Sequence, residues 1–238
     1  MLSHDTSEVN VEHVSFTTED NGLIYADLYG KGGRGVVLAH GGRFTKESWQ
    51  PQAQSLARAG FRVLAFDFRG FGKSHGPGDS EMYTAPVQLD VLAAVRYLRK
   101  NGVKTVSVMG GSFGAAAAAD ASIGSQPGEI NRLILLAAKG NGPAERIQSP
   151  LLIIIARDDA NEAGLRLPRI RDWFDKAPSP RSLSCLTVRP IPVSVSNRPS
   201  KPCNERGAPL LGWRRTACEA QLGQPALNGK SSALTCNS

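Results

Sequence analysis

No cysteine precedes Cys185 in this chain of 238 residues, so neither a disulfide nor a thiolate metal ligand is available to most of it. The four cysteines, Cys185, Cys203, Cys218 and Cys236, stand 18, 15 and 18 residues apart, with no Cys-x-x-Cys pair and no neighbouring histidine. That spacing excludes the common zinc frameworks and leaves four unrelated thiols as the simpler reading. Histidine is scarce as well: His4, His13, His40 and His75 are the whole set. No run of eighteen apolar residues occurs, as a membrane-spanning helix would need, and the amino terminus lacks the basic and apolar regions of a secretion signal. The expectation is a cytoplasmic protein without metal or cofactor.

The net charge of +7 is unevenly placed. Residues 181–238 carry eight Lys/Arg and two acidic residues, which leaves residues 1–180 with 20 basic and 19 acidic ones. A near-neutral body has no basic stripe for a nucleic-acid backbone, so neither nucleic acid nor membrane is expected as a partner. Residues 1–180 suffice for one α/β domain with a sizeable core.

In chain order, Val11–Thr17 and Leu23–Tyr29 alternate around Asn21-Gly22, which predicts a β-hairpin. Gly35–Ala39 is short and continuously apolar, as expected of a strand buried on both faces, and it ends in His40-Gly41-Gly42-Arg43. Trp49, Ala53, Leu56 and Ala57 share one helical face, closed by Gly60, and Phe61–Phe68 is the next buried strand. Strand, helix and strand with short links imply a right-handed crossover and a parallel sheet. Val87 to Leu98 predicts a helix, Thr105–Met109 a strand, Ile130–Ala138 and Leu151–Ala156 two more, and Arg166–Lys176 an amphipathic helix.

Between Met109 and Ala115 runs Gly110-Gly111-Ser112-Phe113-Gly114. A strand that passes this abruptly into a helix must bend at Ser112, and nearly side-chain-free neighbours at Gly110 and Gly114 permit the bend. A serine there projects its hydroxyl above the sheet, with the Phe113 N–H at the helix's positive end. Gly-x-Ser-x-Gly alone fits a tightly packed turn equally well, so the surrounding motifs decide.

Those motifs are His40-Gly41-Gly42 after one strand, Asp67-Phe68-Arg69-Gly70-Phe71-Gly72-Lys73-Ser74 after the next, the Gly110–Gly114 turn, and Asp158-Asp159 after a later strand. In this order, from about residue 11 to 180, the chain resembles the α/β-hydrolase superfamily, in particular its lidless esterase, dienelactone-hydrolase-like and serine-aminopeptidase-like branches. The resemblance implies a mostly parallel sheet with helices on both faces and a serine hydrolase acting on a small ester. Ser112 would attack the carbonyl carbon, the N–H groups of Phe113 and Gly42 (Arg43 as second choice) would hold the oxyanion, and Asp159, preferred to Asp158, would be the acid. His40 and Gly41 would shape the loop, and Arg69 would serve packing. Only 47 residues separate Ser112 from Asp159, too few for a lid, so the site should be open.

The family's third catalytic residue is a histidine after the acid, and no histidine follows Asp159 here. His75 could replace it only in a rewired triad. The break coincides with a change of composition after Pro180, into scattered prolines, arginines and all four cysteines. A one-nucleotide frame shift at Pro180 to Arg181 explains both. Read out of frame, Arg181 to Ile191 permits E-L-V-L-L-D-G-S-A-H, an apolar strand followed by a histidine. The expected organisation is then a truncated domain over residues 1–180, its last strand and helix missing, and a non-native or disordered tail over 181–238, with little or no turnover. The competing reading is a non-catalytic protein of the same fold that binds a ligand or partner.

Overall fold

In the computed structural model, residues 9–78 and 84–187 are described. Eight strands form one sheet: β1 Val11–Thr17, β2 Leu23–Tyr29, β3 Arg34–Ala39, β4 Phe61–Phe66, β5 Thr105–Gly111, β6 Arg132–Leu136, β7 Leu151–Ala156 and β8 Arg181–Leu186. Four α-helices accompany them: α1 Gln50–Arg58, α2 Gln88–Lys100, α3 Phe113–Gly124 and α4 Leu167–Asp175. The strand order is β1-β2-β4-β3-β5-β6-β7-β8. β1 and β2 form the expected antiparallel hairpin, Asn21 taking a positive φ of 64° in its turn. β2 also pairs antiparallel with β4, while every pairing from β4 through β3 to β8 is parallel.

The continuous apolar runs are explained by burial on both faces. Val37 and Ala39 of β3, with Leu64 and Phe66 of β4, belong to the core beneath α2, α3 and α4. Val36 and Leu38, with Val63 and Ala65, face the smaller core closed by Ala53 of α1. Burying a side chain the size of Leu38 or Leu64 stabilises the fold by about 1.5–3 kcal/mol, and both are fully covered. With both faces occupied, the strand ends alone remain open, and the parallel strands all end on one edge of the sheet. Open α/β sheets place their sites on that carboxyl edge.

One expectation is corrected. The sequence reading closes the domain at residue 180 and loses the last strand, yet Arg181–Leu186 pairs in parallel with Leu151–Ala156 along its full length. Pairing at a sheet edge uses backbone N–H and C=O groups, which any run without proline supplies. Here Leu183 and Cys185 alternate onto the main core. The chain as it stands therefore covers the β7 edge. The expectations of an absent covering helix and of a non-native or disordered tail lie, beyond residue 187, outside the described residues.

Candidate active site

β5 and α3 leave a single residue between them, Ser112, at φ 50° and ψ −110°. This region is sparsely populated for any residue with a β-carbon, at a cost of about 1–3 kcal/mol. The glycines on either side are required sterically. A β-carbon on Gly110 would lie 2.2 Å from the Gly114 carbonyl oxygen, and one on Gly114 would lie 2.4 Å and 2.5 Å from those of Ala39 and His40. The bend is pinned by the Ser112 N–H, which donates to the Leu136 carbonyl of β6 at 2.9 Å, and by the Ser112 carbonyl, which accepts from Ala115 and Ala116 at 3.0 and 3.1 Å. Ser112 itself is exposed. Phe113 opens α3 and packs its ring edge-on against Phe68, 5.2 Å between centroids.

The loop after β3 lies against this turn. A β-carbon on Gly41 would be 3.6 Å from the Gly111 carbonyl oxygen, and the Phe44 N–H closes the loop onto the Gly41 carbonyl at 2.9 Å, with Gly42 between them. His40 is completely buried, edge-on to Phe68 and Phe71. Its Nε2 accepts the Phe68 N–H at 3.2 Å, so the ring proton sits on Nδ1, which donates to the Gly41 carbonyl at 2.9 Å. Burial pushes its pKa below the ordinary value. A neutral ring with both nitrogens engaged shapes the loop and has no position from which to move a proton at Ser112.

The glycine-rich loop after β4 is likewise built for packing. Arg69, 3% exposed, donates to Asp90 at 2.6 and 2.9 Å and to Asp20 at 2.6 and 3.0 Å, tying the hairpin turn to α2. Its hydrogen bonds hold Asp20 down at about 2, whereas burial pushes Asp90 up against the same arginine's pull. Ser74 Oγ accepts the Tyr25 N–H at 2.9 Å.

Beyond β7 the two aspartates differ. Asp158 is exposed. Asp159 is half-buried, with Oδ1 3.7 Å from Arg166 Nε, and its carbonyl accepts the Arg166 N–H at 2.9 Å. Arg166 Nη1 donates to the carbonyl of Ala137 at 3.1 Å. Ala137 has a φ of 58° and follows Leu136, the residue that holds the Ser112 N–H. The Asp159 loop and the serine turn thus meet across the end of β6, two strand spacings or about 10 Å between β5 and β7. Arg166 carried no sequence signal, because it stands in no motif and opens an ordinary amphipathic helix.

The structure brings no described histidine to that gap. His13 pairs with Asp27 at 2.7 Å in the hairpin, and His75, bridged to Leu23 of β2, turns its Nδ1 back to the Lys73 carbonyl at 3.1 Å. His4 lies outside the described residues. Among the described residues, no cluster of three or more His, Cys, Asp or Glu side chains could hold a metal ion, and no helix is long and apolar enough to cross a membrane.

Comparison with known proteins agrees with this fold. A family model described as alpha/beta hydrolase fold matches residues 35–174. Bifunctional epoxide hydrolase 2 of Sus scrofa is 39% identical over 84 residues, covering 34% of this chain and 14% of that protein. An AB hydrolase superfamily protein of Bacillus subtilis is 27% identical over 177 residues, covering 74% of this chain and 57% of its own length. A non-heme chloroperoxidase of Streptomyces lividans is 29% identical over 125 residues, covering 51% of this chain and 43% of that protein. The chain therefore spans less than two thirds of these curated relatives. Among solved structures, an esterase of Pyrococcus furiosus superposes with a TM-score of 0.65 at 22% identity, covering 76% of this chain and 84% of that one, a likeness of fold.

Proposed function

Because the chain belongs to the α/β-hydrolase fold family, we propose that it is a serine hydrolase of small carboxylic esters, crippled in this chain by the lack of a histidine after Asp159. The observation that carries the reading is Ser112, exposed at φ 50° on a turn that only Gly110 and Gly114 allow. A binding protein gains nothing from strain at a serine, whereas a nucleophile needs its oxygen lifted clear of the sheet.

In the proposed reaction Ser112 Oγ attacks the ester carbonyl, and the tetrahedral oxyanion rests on the N–H groups of Phe113 and Gly42. The alcohol leaves with a proton and water then releases the acid. Asp159 is the acid that would orient an imidazole, which is the member this chain does not supply. Losing such a histidine costs on the order of a millionfold in kcat in a serine protease, with residual catalysis from the oxyanion hole and binding.

The residue at the turn also favours one of the reactions named for the relatives. A serine that opened an epoxide would be left as an ether, which an oxyanion hole cannot hydrolyse. A serine that attacks an ester becomes an acyl-enzyme, which water resolves. Ser112 thus supports ester over epoxide chemistry.

We further infer the frame shift near Pro180. It accounts for the absent histidine and the composition change together. Restoring the alternative frame should deliver a histidine after β8, next to the acid loop that hydrogen-bonds the end of β8 through the Arg157 N–H and the Leu186 carbonyl at 2.8 Å. Hydrolysis of p-nitrophenyl acetate by the chain as it stands, by Ser112→Ala and by the frame-restored protein tests the reading. A rise on the order of a thousandfold or more on restoration, abolished by Ser112→Ala, supports it. A rate unaffected by Ser112→Ala, or saturable ligand binding without any acylation, supports the non-catalytic alternative.

A further inference from the structure

Among the described residues β1 ends the sheet, so one side of its backbone has no neighbouring strand. The hairpin determines which groups face that side. The Thr18 N–H donates to the Gly22 carbonyl at 2.9 Å, and alternation along the antiparallel ladder then gives the bonds with β2 to Phe16, Val14 and Glu12. Tyr25 of β2 turns its carbonyl the other way, to the Asp67 N–H at 3.0 Å, as that alternation requires. The N–H and C=O groups of Val11, His13, Ser15 and Thr17 therefore face outward. Sheet edges are commonly blunted by lysine, proline or a bulge. Val11–Thr17 contains neither residue and keeps a one-to-one register with β2.

A groove of about 720 Å³ runs between this edge and α2. Ser15, Phe16 and Thr17 line it from the strand, and Arg96, Tyr97 and Lys100 line it from one face of the helix. The rings of Phe16 and Tyr97, 5.1 Å between centroids and packed on the main core, give it an apolar patch. Arg96 is already engaged, with Nη1 donating to Glu19 Oε2 at 3.0 Å and Nε to Glu129 Oε1 at 2.8 Å. Lys100 is exposed and its side chain has no ion pair or hydrogen bond among the described residues, so its charge stands uncompensated in the lining. Glu12 shares the helix-side face of β1 but lies outside that lining.

We propose that this edge and groove bind an extended acidic peptide, added antiparallel to β1 as a further strand. Ser15 and Thr17 each offer one outward donor and one outward acceptor, a pattern that a peptide backbone matches. Alternation then fixes the side chains: those opposite Phe16 and Val14 point toward α2, and those opposite Ser15 and Thr17 point to the other face. A β-branched apolar residue opposite Phe16 covers the Phe16 and Tyr97 rings. Two residues along the strand span about 6.7 Å, and the three from Tyr97 to Lys100 rise about 4.5 Å along α2, so a carboxylate opposite Val14 comes within reach of Lys100. No antiparallel register of β1 against a second copy of itself does both. Setting Val14 opposite Phe16 puts Phe16 opposite Val14, and setting Glu12 opposite Val14 puts Asn10 opposite Phe16.

The test is fluorescence anisotropy of a fluorescein-labelled, amidated peptide Thr-Val-Thr-Glu-Thr, titrated with the full-length chain. Binding should saturate, and lysine in place of the peptide's glutamate should weaken it about threefold or more. In Lys100→Glu that preference should reverse. N-methylation of the peptide's middle threonine, the residue opposite Ser15, should weaken binding about fivefold or more. Ser15→Pro should do the same, and because this N–H points away from β2 the substitution removes no bond within the sheet. The N-methylated peptide makes the same test on the unaltered protein should Ser15→Pro fail to fold. Absence of saturable binding, binding indifferent to N-methylation, or equal affinity for the glutamate and lysine peptides would overturn the proposal. Sedimentation that finds a dimer dissolved by Ser15→Pro would also overturn it, by assigning the edge to a second copy of the chain.

Discussion

Gly114 packs against Ala39 so closely that a β-carbon on it would lie 2.4 Å from the Ala39 carbonyl oxygen. The contact joins the first turn of α3 to the end of β3, and it fixes the loop after β3 beside the serine turn. Gly114→Ala must push these backbones apart, because the obstructing atom is main chain and cannot swing away. It should destabilise the fold by about 1–3 kcal/mol, read from urea unfolding midpoints. An unchanged midpoint would mean that the turn yields freely.

Ser112→Gly should act in the opposite sense on stability. At φ 50° a residue with a β-carbon is strained, and glycine relieves this, gaining about 1 kcal/mol or more. The same variant should lose all ester turnover. Together the two changes would mark Ser112 as a position where stability has been given up for reactivity.

The pH dependence of folding should report His40. Burial holds the folded-state pKa below the ordinary 6.5, while the unfolded chain takes up its proton near that value. Below pH 6.5 the unfolded state therefore binds more protons, so this contribution is complete above pH 6.5 and is lost as pH falls, by up to about 1.4 kcal/mol per pH unit. In His40→Gln the slope between pH 7 and 5 should flatten, whatever the loss of absolute stability. A wild-type protein whose stability is flat across that interval would contradict the buried neutral imidazole.

Arg69→Met should cost about 3–5 kcal/mol, because it strands the fully buried Asp90 without its partner. Adding Asp90→Asn should recover part of that loss. If the double variant is no more stable than the single one, the arginine's contribution is packing alone.

Much of this architecture is legible in the residues themselves. Asn21-Gly22 marks the hairpin turn because only such residues take its positive φ readily, and the run Gly35–Ala39 marks a strand buried on both faces because it contains no polar side. Ser112 is legible because Gly110-x-Ser112-x-Gly114 stands in order with the motifs at His40, Asp67 and Asp158, although the five residues alone fit a packed turn equally well. What escapes the sequence is contact across the sheet. The closing of the β7 edge by Arg181–Leu186 depends on backbone pairing that carries no residue signature. The link from Arg166 through Ala137 toward the serine turn joins residues 29 apart with no periodicity between them. The fixed tautomer of His40 follows from a hydrogen bond to a residue 28 positions away.

The coding DNA offers an independent check on the carboxyl-terminal part. Its alternative frame after Pro180 should encode an apolar strand followed by a histidine. A sequence without a histidine there would leave the missing triad member unexplained and favour a protein that binds without turnover.

The central claim is that Ser112 is a lifted, reactive nucleophile, and peptide mapping after incubation with a fluorophosphonate tests it most directly. The account predicts slow phosphonylation located on Ser112, absent in Ser112→Ala and greatly accelerated in the frame-restored protein. No modification of Ser112 in either form, or labelling that persists unchanged in Ser112→Ala, would contradict it.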